Sequence, residues 1–281
     1  MQHPAVLPAD PSRRDVRLGR RSVEYRLRRS ARSRGLRVTI DDRDGLVVSV
    51  PPEARRGWAH PEVRIEAFLV ERQAWVLRHL DRQARERDAA RARGGARDGG
   101  LVLFRGEPHR VRVRSGGRWG RRSTVERSGG EEGDELIVSL AKAERRSLDR
   151  ILAAWFRERA AEAVERAVAE HAPALGVAPA QIDIRDPRSR WGSASRKGRL
   201  MFSWRLVLAP PGSLETVVVH ELAHLKVFGH GPRFWALVAG RRPGHLADRA
   251  WLRRNSHAIH SALDAWPEEP DEPEPATGRH G

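Results

Sequence analysis

The sequence predicts an α+β fold: a β-rich N-terminal region, then helices packed around a small antiparallel sheet. Three observations predict it. Short runs that alternate apolar and charged residues crowd the first 50 positions and recur between 101 and 138. Two long stretches, about 61–87 and 141–170, carry apolar residues at helical spacing. Finally, Val217 to His230 holds a His-Glu-x-x-His pattern behind an apolar run.

Taken in order, residues 1–15 are polar, carry Pro4, Pro8 and Pro11, and are expected to be disordered. Val23, Tyr25 and Leu27, then Leu36, Val38 and Ile40, alternate with polar residues as strands do. Asp41 to Gly45 is a turn signal, Leu46 to Val50 is a further strand, and Pro51-Pro52 stops it. One helix is expected over 61–87, running out into a low-complexity linker at Ala89 to Gly95. Leu101 to Phe104 and Val111 to Val113 read as a hairpin around Gly106-Glu107-Pro108. Ser115 to Glu135, rich in Gly, Ser and charge, reads as a flexible insertion. After the helix at 141–170, Gln181 to Arg185 and Leu200 to Leu208 read as strands. Ser213 is the expected N-cap of the next helix, and Gly229 fits the position just past its end. Pro232 opens another helix, and a last one spans about His245 to Ile259. The acidic, Pro-rich tail is expected to be disordered. The expected organisation is therefore a disordered 1–15, a β-rich region 16–140, a helical site-bearing region 141–262 and a disordered tail 263–281.

Composition narrows the chemistry. The 281-residue chain has no cysteine, which excludes disulfides, thiolate metal sites and a cysteine nucleophile. Any metal must be held by His and carboxylates. The N-terminus has no apolar core of a signal peptide, and no stretch approaches the ~20 apolar residues of a membrane span, so a cytoplasmic protein is expected, with no membrane partner. The formal net charge of +16 comes almost wholly from Arg, since Lys occurs only at Lys142, Lys197 and Lys226. Because the Arg residues are spread along the chain, the expectation is weak, non-specific nucleic-acid binding that salt abolishes.

A helix over Val217–His230 puts His220 and His224 one turn apart on one face. Two imidazoles at that spacing take two corners of a zinc tetrahedron, and Glu221 stands where a general base for an attacking water belongs. A catalytic zinc site uses three protein ligands. His230, six residues after His224, is the first candidate; His245, His257, His260 and Glu215 are the others. Three neutral imidazoles leave Zn2+ its full charge, which draws the pKa of bound water toward ~7. Arg190 and Trp191 are candidates to stabilise a developing oxyanion.

Several segments together resemble the YgjP-like metallopeptidase family, which is related to the SprT-like zincins. They are Ser189-Arg190-Trp191-Gly192-Ser193, Trp204 to Pro210, Val219-His220-Glu221-Leu222-Ala223-His224, and His230-Gly231-Pro232-Arg233-Phe234-Trp235. The likeness extends over about 20–260. Ala194 and Ala223 stand where the family often has Cys, and Ser203 where it has Asn. The resemblance implies a zincin-like core, Zn2+ held by His220, His224 and His230, Glu221 as the catalytic glutamate, and hydrolysis of a polypeptide. It also admits alternatives. Some members are described as UTP pyrophosphatases, and SprT-like relatives cut proteins crosslinked to DNA. A nucleic-acid-associated protein with structural zinc is a third reading.

Overall fold

The computed structural model describes residues 12–41, 44–115, 122–130, 133–187 and 189–264. Contacts divide the chain into two compact units, Met1–Asp88 and Ala89–Gly281.

The first unit is one sheet with helices on its apolar face. Its strands are β1 (Arg13–Leu18), β2 (Arg21–Arg29), β3 (Arg37–Asp41) and β4 (Gly45–Val50), in the order β1-β2-β4-β3. The alternation read from sequence decides which face is buried. Val16, Leu18, Val23, Tyr25, Leu46, Val48 and Val50 form a core with Ile65, Leu69 and Val76 of the helices α1 (Glu62–Glu71) and α2 (Gln73–Arg93). The sheet is mixed. β1–β2 and β3–β4 are antiparallel, but β2 and β4 run parallel. The chain leaves β2, crosses to the edge as β3, and returns between them. The single helix expected over 61–87 is two, broken at Arg72. The expected linker at 89–95 is largely helix, because α2 continues through the Ala and Arg residues to Arg93; both types are strong helix formers. Order begins before the expected residue 16, since β1 starts at Arg13; residues 1–11 lie outside those described.

The second unit opens with the same topology. Strands β5 (Leu101–Phe104), β6 (Glu107–Arg114), β7 (Thr124–Gly130) and β8 (Gly133–Ser139) form a sheet ordered β5-β6-β8-β7, again with a parallel central pair. The segment read as an insertion thus contributes β7 and the start of β8; residues 116–121 and 131–132 lie outside those described. The β5–β6 turn uses two residues of positive φ, Arg105 at 56° and Gly106 at 90°, as a two-residue hairpin loop requires. Helix α3 (Leu148–Leu175) packs its stripe of Ile151, Leu152, Phe156, Ala160 and Val164 into a core shared with Val111, Leu136 and Val138 of this sheet. Gly176, left-handed at φ 62°, ends it.

A third, small sheet has β9 (Gln181–Arg185), β10 (Gly192–Ala194) and β11 (Arg199–Ser203) in the order β10-β11-β9. The strand expected over Leu200–Leu208 is β11 followed by a 3-10 helix, Trp204–Leu208, in which the Arg205 N–H donates to Ser203 Oγ. Helices α4 (Pro211–His224), α5 (Pro232–Arg241) and α6 (His245–His260) complete the unit. The expected division at residue 140 is displaced to 88/89, since β5–β8 share one core with α3 and α4. Of the acidic tail, residues 265–281 lie outside those described. No described helix is long and apolar enough to cross a membrane.

Candidate metal centre

α4 is buried nearly all round, with Leu214, Val217, Val218, Val219, Leu222 and Ala223 in the core. A helix so enclosed is fixed by packing, and its polar side chains are held where the packing leaves them. Pro211 starts it at N1, and Ser213, expected as the cap, lies buried one turn inside. Arg242 anchors its first turn. The guanidinium reaches Glu215 at 2.6 Å, Asp248 at 3.1 Å, the Gly212 carbonyl at 3.0 Å and Thr216 Oγ1 at 3.3 Å. Thr216 in turn donates to Asp248 at 2.5 Å. That network ties the start of α4 to α6, one turn before His220.

The helix stops at His224, earlier than the glycine signal implied. Leu225 N–H donates to Leu222, and Lys226 and Val227 to Ala223, tightening the last turn. Gly229 keeps an ordinary φ and has open space where a side chain would go, so it does not make the turn. The reversal also brings the Val227 carbonyl to 3.2 Å from His224 Nδ1. A carbonyl only accepts, so Nδ1 carries the proton and the Nε2 lone pair is free.

The outcome is a triangle. The Nε2 atoms of His220 and His224 are 3.2 Å apart, those of His224 and His230 3.1 Å, and those of His220 and His230 3.2 Å. Ligand nitrogens about 2.0 Å from a tetrahedral zinc stand roughly 3.3 Å from one another. The observed edges fit that figure, and the donor set is the imidazole trio that zinc favours. Burial, and then the neighbouring His224, His230 and Arg249 charges, push His220 down to about 4. Burial also lowers His224. Both rings are thus held neutral, the form that ligates metal.

One aromatic ring braces all three imidazoles. Phe234 is fully buried, with its centroid 4.9 Å from that of His220, 4.4 Å from His224 and 4.8 Å from His230. Trp235 lies 5.7 Å from His220 and 5.8 Å from His230, with the Arg249 guanidinium 4.3 Å over its ring. The other candidate ligands stand apart from the only group of three His or acidic residues close enough to share an ion among those described. Glu215 is paired with Arg242; His245 is buried, its Nδ1 3.0 Å from the Arg242 carbonyl; His260 stacks on Trp191.

Glu221 is 6% exposed and points toward β10. A methyl group added at Gly192 would stand 2.7 Å from Glu221 Cγ and 2.8 Å from Oε1, so only glycine admits the carboxylate here. Burial pushes Glu221 up to about 7, with the Arg190 charge opposing. The two oxyanion candidates therefore separate. Arg190, exposed, acts electrostatically on Glu221, while Trp191 is occupied in stacking on His260 at 5.0 Å. Neither Gly192 nor Phe234 is among the candidates that residue type and spacing offer. Their only signal was their place in the Trp191-Gly192-Ser193 and Pro232-Arg233-Phe234 segments.

An α+β fold that gathers two imidazoles from one turn of α4, a third from the loop before α5 and a buried carboxylate beside them has the parts of a metallohydrolase. The YgjP-like metallopeptidase domain matches residues 34–255, most of the chain, and the protein belongs to that family. No curated protein and no solved structure gives a significant match.

Proposed function

We propose that the chain is a zinc-dependent metallopeptidase, with His220, His224 and His230 as the metal ligands and Glu221 as the general base. The observation that carries this reading is the Nε2 triangle, whose 3.1–3.2 Å edges suit a tetrahedral ion, with one face left for water and substrate. When bound, zinc polarises the scissile carbonyl and acidifies the attacking water. The remaining work falls to the protein. Glu221 Oε accepts the proton of the attacking water and returns it to the amide nitrogen as the peptide bond breaks. Gly192, having no side chain, leaves the space that carboxylate occupies. The Val227 carbonyl fixes the tautomer of His224, and Phe234 packs against all three imidazoles. The family description, a metallopeptidase domain, supports a polypeptide as substrate.

The test assays zinc-loaded protein side by side on an unfolded polypeptide and on UTP. Peptide-bond cleavage with about one zinc per chain is expected. Glu221→Gln should retain zinc and lose about 10²- to 10⁴-fold in turnover. His230→Ala should lose zinc on dialysis. Unchanged turnover in the first variant, or unchanged metal content in the second, would reject the assignment; hydrolysis of UTP alone would reject the substrate.

A further inference from the structure

The first unit holds a concavity of about 570 Å3 for which the metal centre has no use. Arg28, Arg32, Arg34 and Arg37 line it, with no carboxylate and no aromatic residue among the lining side chains. Strand register explains half of this. Arg28 of β2 stands opposite Ser49 of β4, and Ser49 opposite Arg37 of β3, so the three form one row across the sheet. Tyr25, Leu46, Val48 and Val50 take the alternate positions and are buried on the other face, which leaves the row on the solvent face. The β2–β3 connection brings Arg32 and Arg34 to the same hollow, with Ser30 and Ser33 beside them.

Neighbouring arginines are engaged. Arg26 pairs with Asp44 at 2.7 Å, and Arg29 donates to the carbonyls of Trp58 at 2.8 Å and Ala59 at 3.1 Å. The four in the hollow are exposed and have no hydrogen-bond or ionic partner among the described residues. Four guanidinium groups gathered without a counter-charge repel one another, and an anion relieves that repulsion. Phosphate is the matching anion, since a guanidinium binds it through two parallel N–H donors and Ser and Thr hydroxyls add single ones. With no aromatic platform, the hollow grips phosphates and leaves bases unread, which suits a polymer backbone better than a single nucleotide. An anionic membrane suits it less. The exposed large apolar side chains, Val63, Val70, Trp75, Phe228 and Leu246, are absent from its lining, and its one large apolar residue, Leu36, is half-buried against the core of the unit, which leaves little to insert into lipid.

We infer that Arg28, Arg32, Arg34 and Arg37 form a binding site for the phosphate backbone of a nucleic acid, without sequence preference. The test is fluorescence anisotropy of a labelled 20-nucleotide oligo(dT), about 20 nucleotides being ample for one groove, titrated with the full chain across a salt series. The variant R28A/R32A/R34A/R37A is compared with R150A/R157A/R166A/R254A, which removes equal charge from exposed positions elsewhere. Affinity of the first variant should fall at least about tenfold, and its slope of log K against log salt should flatten by about 2 to 3. The control should lose much less. Equal losses in both variants would overturn the site, as would no binding by the native chain at low salt. Capture of phosphatidylserine vesicles without competition from oligo(dT) would overturn the choice of ligand. Circular dichroism and zinc content establish that both variants fold, and no hydrolytic assay is involved.

Discussion

Two sheets of one topology do opposite work in this chain. β1–β4 and β5–β8 share the strand order, the two flanking antiparallel pairs and the parallel central pair. Their hairpin tips differ. In the second sheet Arg105 and Gly106 donate their amides to Val207 and Leu208 at 2.9 and 3.0 Å, and Gly106 lies against Pro210, the residue before α4. The tip is sewn to the backbone that launches the site helix. In the first sheet a side chain at Gly19 would meet only Gln73 Oε1, at 3.6 Å, and the solvent face gathers unpaired arginines. Topology therefore settles neither role. A sheet becomes a support where its loop spends its amides on a neighbour, and remains a surface where its side chains keep theirs.

The sharpest way to break this comparison is at the support side of the site. Gly192→Ala should displace the Glu221 carboxylate, costing about 10²-fold in hydrolysis while zinc content stays at the native level. Full activity would mean that Glu221 does not depend on β10. The two tips can then be compared directly by denaturant unfolding. Gly106→Ala combines a positive φ with a methyl 2.8 Å from Pro210 Cγ and should cost about 2–4 kcal/mol. Gly19→Ala meets only the backbone penalty of its φ of 62° and should cost about 1 kcal/mol. Equal losses would erase the distinction between a docked and a free hairpin.

The smallest effect concerns the ion pair that steadies the 3-10 helix. Arg205 binds Asp186 at 2.7 and 3.2 Å and donates to the Ile259 and His260 carbonyls. Burial alone would raise the Asp186 pKa, but the Arg205 guanidinium outweighs it and holds the group below its ordinary value. A depressed folded pKa means stability present above the ordinary aspartate range and lost as pH falls through the lowered value. Asp186 is part exposed, so Asp186→Asn should cost only about 0.5–1 kcal/mol at pH 7, and the cost should shrink as pH falls below the ordinary aspartate range. A cost independent of pH would show that shape, rather than charge, is what Asp186 supplies.

Much of the site was legible because it is local. His220, Glu221 and His224 sit within one turn of an apolar helix, so spacing alone puts the two imidazoles on one face. His230 could only be a candidate. Its return depends on the turn after Leu225, which the Gly229 signal mislocated, and on Phe234 beneath the rings. Strand identity was likewise readable from alternation at Val23–Leu27, Val38–Ile40 and Leu46–Val50. Partner and direction were not, since β2 and β4 align parallel only once β3 has taken the edge.

By itself, then, the sequence determined most of the strands and helices, the helical His pair with its glutamate, and a set of candidate ligands free of sulfur. Those follow from residue type and from periods of two and 3.6, which act within a few positions. Tertiary structure alone decided the repeated sheet, the closing of the imidazole triangle, the seat of Glu221 against Gly192 and the gathering of four scattered arginines into one hollow. Each of these joins residues that chain connectivity leaves far apart, and close packing brings them within contact.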